Sequence, residues 1–125
     1  MKMSRNSMVS VATVALALAA VMGGHAANSK DAYELKGEVY PNFKIEMHTR
    51  AGGPVKVIKA GTYRLKIEDK SSVHDFHLTG PGVNRSTTVG GMSETTWTVR
   101  LKPGKYTYYC DPHAGQMRGS FRVSA

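Results

Sequence analysis

The chain has few residues that could cross-link it or hold it in a membrane. Its 125 residues include a single cysteine, Cys110, so it cannot form an intramolecular disulfide. Its longest apolar run, from Met8 to Met22, is shorter than the ~20 residues that a helix needs to cross a bilayer. Its charges are scattered, with neither a basic run nor a repeated basic–aromatic pattern. This distribution argues against nucleic-acid binding.

The first 27 residues have the pattern of a secretory signal. Lys2 and Arg5 precede the apolar run, and small residues predominate from 23 to 27. We therefore predict a signal peptide over residues 1–27 and one domain over 28–125, exported to the periplasm or beyond the cell. An uncleaved anchor is the alternative, and the short run disfavours it. Loss of Lys2 and Arg5 leaves 15 basic and nine acidic residues, a net charge of about +6 that favours acidic partners.

Short alternating segments separated by glycine and proline fill the rest of the chain, and no helical period extends over a useful length. Tyr63, Leu65 and Ile67 alternate with polar residues, as do Phe43, Ile45 and Met47. Alternation with period two is typical of strands that bury one face. We therefore predict an all-β sandwich, with these apolar side chains facing inward.

One segment combines three kinds of metal-binding side chain. Residues 108–117 read Tyr-Tyr-Cys-Asp-Pro-His-Ala-Gly-Gln-Met, which places Cys110, His113 and Met117 within eight residues. A lone cysteine in an exported protein could pair with another molecule, be an inert buried thiol, or bind a metal. Thiolate, imidazole and thioether together favour copper, and one cysteine, two histidines and a weak axial methionine form the blue-copper set. We therefore expect one copper ion and a second histidine from elsewhere.

Strand alternation selects that second histidine. The predicted mature chain has four histidines: His48, His74, His77 and His113. His74 shares a face with Phe76 and Leu78, which are apolar and hence inward, whereas His77 shares the outward face with Asp75. His48 lies among charged residues and is also expected outward. A buried histidine alone is more often a core residue than a ligand, but the Cys-His-Met segment needs one more donor. We therefore predict His74 as the partner, unless a bulge shifts the alternation.

These residues resemble the cupredoxins, the family of plastocyanin, pseudoazurin and amicyanin. The likeness rests on residues 108–113, on Met117 and on the upstream His74, and it extends over roughly residues 43–123. It implies a Greek-key sandwich with one type 1 copper ion at one end. His74, Cys110 and His113 would be the strong equatorial ligands, and Met117 the long axial one. The implied function is transfer of single electrons between redox proteins by cycling of copper between Cu(I) and Cu(II).

The segment departs from the family pattern at two places. Three residues separate His113 from Met117, where plastocyanin-like loops have four and amicyanin-like loops have two. Asp75 occupies the position after the first histidine, where the family usually has asparagine, and that neighbour joins the two ligand loops by hydrogen bonds. We expect a carboxylate there to lower the potential or to make it pH-dependent. Pro112 has a fixed φ and is expected to stiffen the link from cysteine to histidine.

Other functions are less well supported. Copper oxidases and nitrite reductases need a second copper centre and hence more histidines. We also find neither a Ser-His-Asp arrangement nor a phosphate loop, so we expect no enzyme activity. A copper carrier or store would use the same ligands, but the predicted mature chain keeps only three methionines: Met47, Met92 and Met117. Met92 could compete as axial ligand. A secreted sandwich without a metal would leave the ligand spacing unexplained. We expect a monomer with acidic redox partners and without stable membrane insertion once the signal is removed.

Overall fold

The computed structural model describes residues 33–125, so the predicted signal peptide and the first residues of the predicted domain lie outside the described range. Within that range the chain forms nine strands: β1 (Tyr33–Val39), β2 (Ile45–Thr49), β3 (Val57–Lys59), β4 (Gly61–Asp69), β5 (His77–Gly80), β6 (Val83–Ser86), β7 (Ser93–Leu101), β8 (Gly104–Tyr109) and β9 (Arg118–Ser124). The only helix among these residues is a 3-10 turn, Asp111–His113. None of this part of the chain forms a helix long and apolar enough to cross a membrane.

The strands form two sheets that face each other. One sheet has the order β2-β1-β4-β7 and the other the order β3-β9-β8-β5-β6. β1 pairs with β4 and β3 pairs with β9 in parallel, and the other pairs are antiparallel. The prediction of an all-β, Greek-key sandwich is confirmed.

The core lies between the sheets and follows the period-two pattern. On β4 and β7 every second side chain is buried: Tyr63, Leu65 and Ile67 on β4, and Trp97, Val99 and Leu101 on β7. The register places Leu65 opposite Trp97 and Tyr63 opposite Val99, so the apolar faces of the two strands coincide.

Phe76 fills the core close to one end of the sandwich. Its side chain has no exposed surface and stacks on Tyr108 with ring centroids 5.8 Å apart. It also lies against Gly37 of β1, where a Cβ atom would stand only 2.7 Å from the ring. Only glycine leaves room for the ring at this point. Because Phe76 follows His74 by two residues, this packing fixes the chain beside that histidine.

Two expectations about side-chain direction were wrong. β5 begins at His77, so His74 and Asp75 lie in the preceding loop, where strand alternation does not apply. Asp75, expected outward, is only 2% exposed, because its carboxylate accepts a hydrogen bond inside the protein. Phe43, expected inward, precedes the first residue of β2 and is 57% exposed.

The two ends of the sandwich differ in the loops they carry. At the upper end β1, β4 and β8 finish and β2, β5, β7 and β9 begin, so the loops with His74 and with residues 110–117 meet there. At the lower end lie the turns at residues 60, 81–82 and 102–103 and the last residue of β9. The register of the paired strands fixes this arrangement, because the end of β4 is opposite the start of β7 and the end of β8 is opposite the start of β9.

Candidate metal centre

Three donor atoms converge at the upper end. Nδ1 of His74 lies 3.1 Å from Nδ1 of His113, and Sγ of Cys110 lies 3.6 and 3.7 Å from these two nitrogens. A circle through the three atoms has a radius of about 2.0 Å, within the roughly 2.0–2.3 Å of metal bonds to imidazole nitrogen and thiolate sulfur. A hydrogen bond between the histidines would explain the shortest distance alone. It would not explain why both nitrogens also face one sulfur, so the donor set fits a single metal ion.

The loop with Cys110 and His113 is closed by its own backbone. The N–H of Cys110 donates to the carbonyl of Met117 at 3.0 Å, and the N–H of His113 donates to the carbonyl of Cys110 at 3.1 Å. The N–H of Met117 donates to the carbonyl of His113 at 2.8 Å. Pro112 lies in the first turn of the 3-10 helix, where its missing N–H removes no helical hydrogen bond. The donors are therefore held by a rigid short loop.

Met117 and Met92 differ sharply in environment. Met117 is 1% exposed, and its backbone is hydrogen-bonded to the backbones of both Cys110 and His113. Met92 is 70% exposed. A buried centre at this end of the fold therefore favours Met117 over Met92 as its thioether.

The loop that contains His74 is organised by Ser71. The Oγ of Ser71 accepts hydrogen bonds from the N–H groups of Val73 and His74, each at 3.1 Å. The N–H of Ser71 in turn donates to Oδ1 of Asp69 at 3.1 Å. Sequence reasoning treated this stretch only as a loop. Its Asp-Lys-Ser-Ser composition was the available signal, since aspartate and serine side chains commonly bond the backbone a few residues on.

Thr87 anchors the same loop from the opposite side. Its hydroxyl donates to Oδ2 of Asp69 at 2.8 Å and accepts from the N–H of Phe76 at 2.9 Å. Burial raises the pKa of Asp69, and the hydrogen bond from Thr87 acts against that rise. Buried Asp69 and Ser71, together with half-buried Thr87, thus form a polar support for His74 that sequence reasoning missed.

The environment of Cys110 is dry. Its side chain has no exposed surface. Burial raises the pKa of the Cys110 thiol, while hydrogen bonds from the backbone of Asp75 and His113 act to lower it. A thiolate in such a place needs a compensating positive charge, which a metal ion supplies.

Asp75 joins the two loops of the centre. Its Oδ1 accepts a hydrogen bond from the N–H of Asp111 at 2.6 Å. Burial, followed by the hydrogen bond with the Asp111 side chain, raises the pKa of Asp75 to about 6. The same contact lowers the pKa of Asp111, with a further contribution from His77. The aspartate that departs from the family pattern therefore makes the connection expected at that position.

The two other histidines lie outside the triangle of donors. His77 is half-buried; its Nδ1 lies 2.9 Å from Oδ2 of Asp111, and its Nε2 lies 2.5 Å from Oδ1 of Asn84. Asp75, His77 and Asp111 form a second group of metal-capable side chains, but both ring nitrogens of His77 already have oxygen partners. Nε2 of His48 lies 2.8 Å from Glu46 on the outer face of the first sheet. Neither histidine places a ring nitrogen beside Sγ of Cys110.

Phe43 covers the two imidazoles from outside. Its ring centroid lies 5.0 Å from that of His113 in an edge-on arrangement and 5.5 Å from that of His74. No sequence signal marked this residue, because its place in an alternating segment suggested a core position. Phe43 narrows the access of water to the donors and forms part of the surface around His113.

The family of the protein follows from a comparison with family models. Residues 39–124 match the model for copper-binding proteins of the plastocyanin/azurin family. The chain belongs to that family. Copper is therefore its metal, and His74, Cys110 and His113 form a type 1 copper-like site. The predicted resemblance to the cupredoxins and the predicted copper cofactor are confirmed.

Solved structures support the same fold. Reduced rusticyanin is 20% identical over 73% of this chain and 78% of its own, with a TM-score of 0.53. Rusticyanin from Thiobacillus ferrooxidans is 19% identical over 73% of this chain and 76% of its own, with a TM-score of 0.51. At this identity the likeness establishes the fold alone. No curated protein sequence matches the chain.

Proposed function

We propose that this protein is an exported type 1 copper protein that carries single electrons between redox proteins. The observation that carries the proposal is the buried triangle of His74 Nδ1, Cys110 Sγ and His113 Nδ1. These three residues are proposed as the strong ligands and Met117 as the weak axial one. When bound, copper supplies a one-electron couple between Cu(I) and Cu(II).

The chain's part in this function is to keep its donors in place. The backbone hydrogen bonds of the loop from Cys110 to Met117 hold two ligands, and Ser71 and Asp75 hold the loop of the third. Fixed donors suit both oxidation states, so little has to move when an electron passes. Burial excludes water and competing oxidants from the Cys110 thiolate.

His113 is the proposed route for electrons. It is half-buried, whereas His74 and Cys110 are fully buried, so its imidazole is the donor nearest to solvent. Phe43, Pro112 and Ala114 provide a mainly apolar rim for a brief encounter, and such redox complexes bury under roughly 1,200 Å². The net charge of the predicted mature chain favours acidic redox partners at long range.

The same geometry favours an electron carrier over a copper carrier. A copper carrier has to release its ion to a recipient, yet two of the three strong donors have almost no exposed surface. We also propose that residues 28–125 are the functional domain, that the protein works as a monomer in the periplasm or outside the cell, and that it catalyses no reaction. Spare histidines for a second copper centre are limited to His48 and His77 in the described part. Both ring nitrogens of His77 and Nε2 of His48 already have oxygen partners.

Visible absorption and electron paramagnetic resonance of the Cu(II)-loaded protein test this function. We expect an intense blue charge-transfer band that a mild reductant bleaches reversibly and that Cys110→Ser abolishes. Met117→Leu should alter the spectrum and potential, whereas the matched variant Met92→Leu should leave both unchanged. A pale, ordinary Cu(II) spectrum would favour the copper carrier, and an absence of stoichiometric binding would refute both functions.

A further inference from the structure

Charged side chains are unevenly distributed along the sandwich. Eight acidic residues lie in the described range, and seven of them are in the upper half: Glu38, Glu46, Glu68, Asp69, Asp75, Glu94 and Asp111. The basic residues nearby are mostly paired with them: Lys36 and Lys70 with Glu38, Lys44 with Glu46, and Lys66 with Glu94. The upper half therefore has little unbalanced positive charge.

The lower end has the opposite character. The exposed basic residues there include Lys59, Arg100, Lys102, Lys105 and Arg122. None of the five forms an ion pair with a carboxylate of residues 33–125. Among residues 33–124, the lower end offers only the Glu34 side chain as an acidic group against them. We call these five residues the cationic end.

Three members of the cationic end lie on the outer face of one sheet, and Arg100 lies on the outer face of the other. Lys105 of β8 is directly opposite Arg122 of β9, and Lys59 of β3 is opposite Ser124 of the same strand. Arg100 lies at the end of β7, opposite Thr62, and Lys102 follows in the next turn. Lys102 lies in a turn and the other four lie within two residues of a strand end, so the basic side chains are spread over the lower end and do not converge on one point. Such a surface suits an extended anionic partner better than one small anion.

The path of the chain indicates which anionic surface this is. β1 begins at Tyr33, which is paired with Tyr63 near the start of β4, so the chain enters the sandwich at the lower end. Residues 1–32, with the apolar run from Met8 to Met22, therefore join the domain beside the cationic end. If residues 1–27 act as the proposed export signal, the exporting membrane would lie on this side of the domain while that segment is attached.

We propose that the cationic end docks on anionic phospholipid headgroups, so that the copper end points away from the membrane. Clustered basic residues are attracted to anionic lipid by about 1 kcal/mol each. In this orientation His113 stays free for redox partners while the opposite end rests on the bilayer. The proposal goes beyond electron transfer, and it does not depend on a bound metal.

Sedimentation with lipid vesicles tests the proposal. The protein is purified after expression of its full-length gene and is mixed with vesicles of phosphatidylcholine, with or without about one-third phosphatidylglycerol, at ~0.1 M salt. We expect binding to the phosphatidylglycerol vesicles, little binding to pure phosphatidylcholine, and release as salt is raised. Apoprotein and copper-loaded protein should bind equally.

Two triple variants with the same net charge locate the docking surface. Lys59→Gln/Lys102→Gln/Lys105→Gln should weaken binding roughly 100-fold, since three attractive charges are lost. Lys44→Gln/Lys66→Gln/Arg118→Gln removes three basic residues from the upper half and should weaken binding less than about threefold, because those charges lie beyond a Debye length of ~10 Å from the bilayer.

Three results would overturn the proposal. These are equal binding to both kinds of vesicle, equal losses in the two variants, and no binding at all. In the last case the cationic end would instead bind an acidic protein. The electron-transfer rate with that partner would then depend on salt and would fall in Lys59→Gln/Lys102→Gln/Lys105→Gln. Loss of the blue spectrum with vesicle binding intact would refute the proposed function and support the docking surface, so the two failures are distinguishable.

Discussion

Oδ1 of Asp75 lies 2.6 Å from the backbone nitrogen of Asp111, and this hydrogen bond joins the loop of His74 to the loop of Cys110. Each residue is adjacent to a proposed ligand, so the bond couples two segments that are separate in the sequence. Asp75 is buried and holds its acceptor oxygen in a dry environment. A hydrogen bond of this kind fixes the orientation of ligands without touching the metal.

Substitution of Asp75 should separate the effect of the acceptor from that of the carboxyl group. Asp75→Asn keeps an oxygen for the N–H of Asp111, so we expect a stable blue protein with a higher reduction potential because the negative charge is gone. Asp75→Ala leaves that N–H buried without an acceptor and should lower the free energy of unfolding by about 1–3 kcal/mol. Denaturant unfolding and redox titration measure the two effects. An unchanged potential in Asp75→Asn would contradict the role of the carboxyl group.

Thr87 should be necessary for the shape of the His74 loop. Thr87→Ala removes the hydroxyl that donates to Asp69 and accepts from Phe76, so we expect a loss of about 1–3 kcal/mol in the free energy of unfolding. We also expect broadened paramagnetic resonance lines from the copper, because His74 is held less firmly. Thr87→Ser retains the hydroxyl and is the matched control. Equal stability of the alanine and serine variants would show that the hydroxyl is unimportant.

Phe43 should slow the access of solvent and chelators to the two imidazoles. Phe43→Ala removes the ring contacts with His74 and His113. A contact between aromatic rings stabilises a structure by about 0.5–1.5 kcal/mol. We therefore expect copper to be lost about two- to tenfold faster to an excess of chelator, followed by the decay of the blue band. Phe43→Leu should lie between the alanine variant and the parent protein. No change in rate in either variant would rule out a covering role.

Glu38 should protect the fold at acid pH. Burial by itself raises the pKa of Glu38, but hydrogen bonds from Lys36, Tyr40 and Lys70 outweigh it and lower the pKa to about 2 from the ordinary 4.5. A lowered pKa means that the carboxylate stabilises the fold above about pH 4.5 and that this contribution disappears as the pH falls towards 2. The shift corresponds to about 3 kcal/mol.

Unfolding measured between pH 7 and pH 2 checks this prediction. Glu38→Gln should be less stable than the parent protein at pH 7 by about 2–3 kcal/mol, and the difference should vanish near pH 2. Glu34→Gln, an exposed position on the same strand, is the control and should leave the pH profile unchanged. A difference that stays constant with pH would mean that Glu38 acts through packing and not through its charge.

The sequence was sufficient where the relevant residues are neighbours in the chain. Cys110, His113 and Met117 are brought together by one short loop, so their spacing alone indicated the site. His74 was selected by strand alternation, although β5 begins only at His77. The choice of a buried histidine was nevertheless right, since Phe76 fills the core and holds the preceding loop against it.

Contacts between distant segments could not be foreseen in this way. Thr87 reaches Asp69 across 18 residues, and Phe43 reaches two histidines that belong to other loops. Composition predicted the net charge but not where the charges lie. The strand register is what places the basic residues with ion-pair partners in the upper half and the five without such partners at the lower end. These features depend on how the sheets are assembled, which local patterns do not encode.

The closeness of the three donor atoms also has a consequence for the supply of metal to the protein. Hydrogen bonds within the chain set the separations between His74, Cys110 and His113, so other ions of similar size that accept sulfur and nitrogen donors would also fit. Zinc binds the same kinds of ligand at similar distances, and copper binds more tightly along the divalent series. Which ion the protein receives should therefore depend on relative availability as well as on affinity. Protein made under copper starvation is expected to contain zinc and to be colourless, although its fold would be the same.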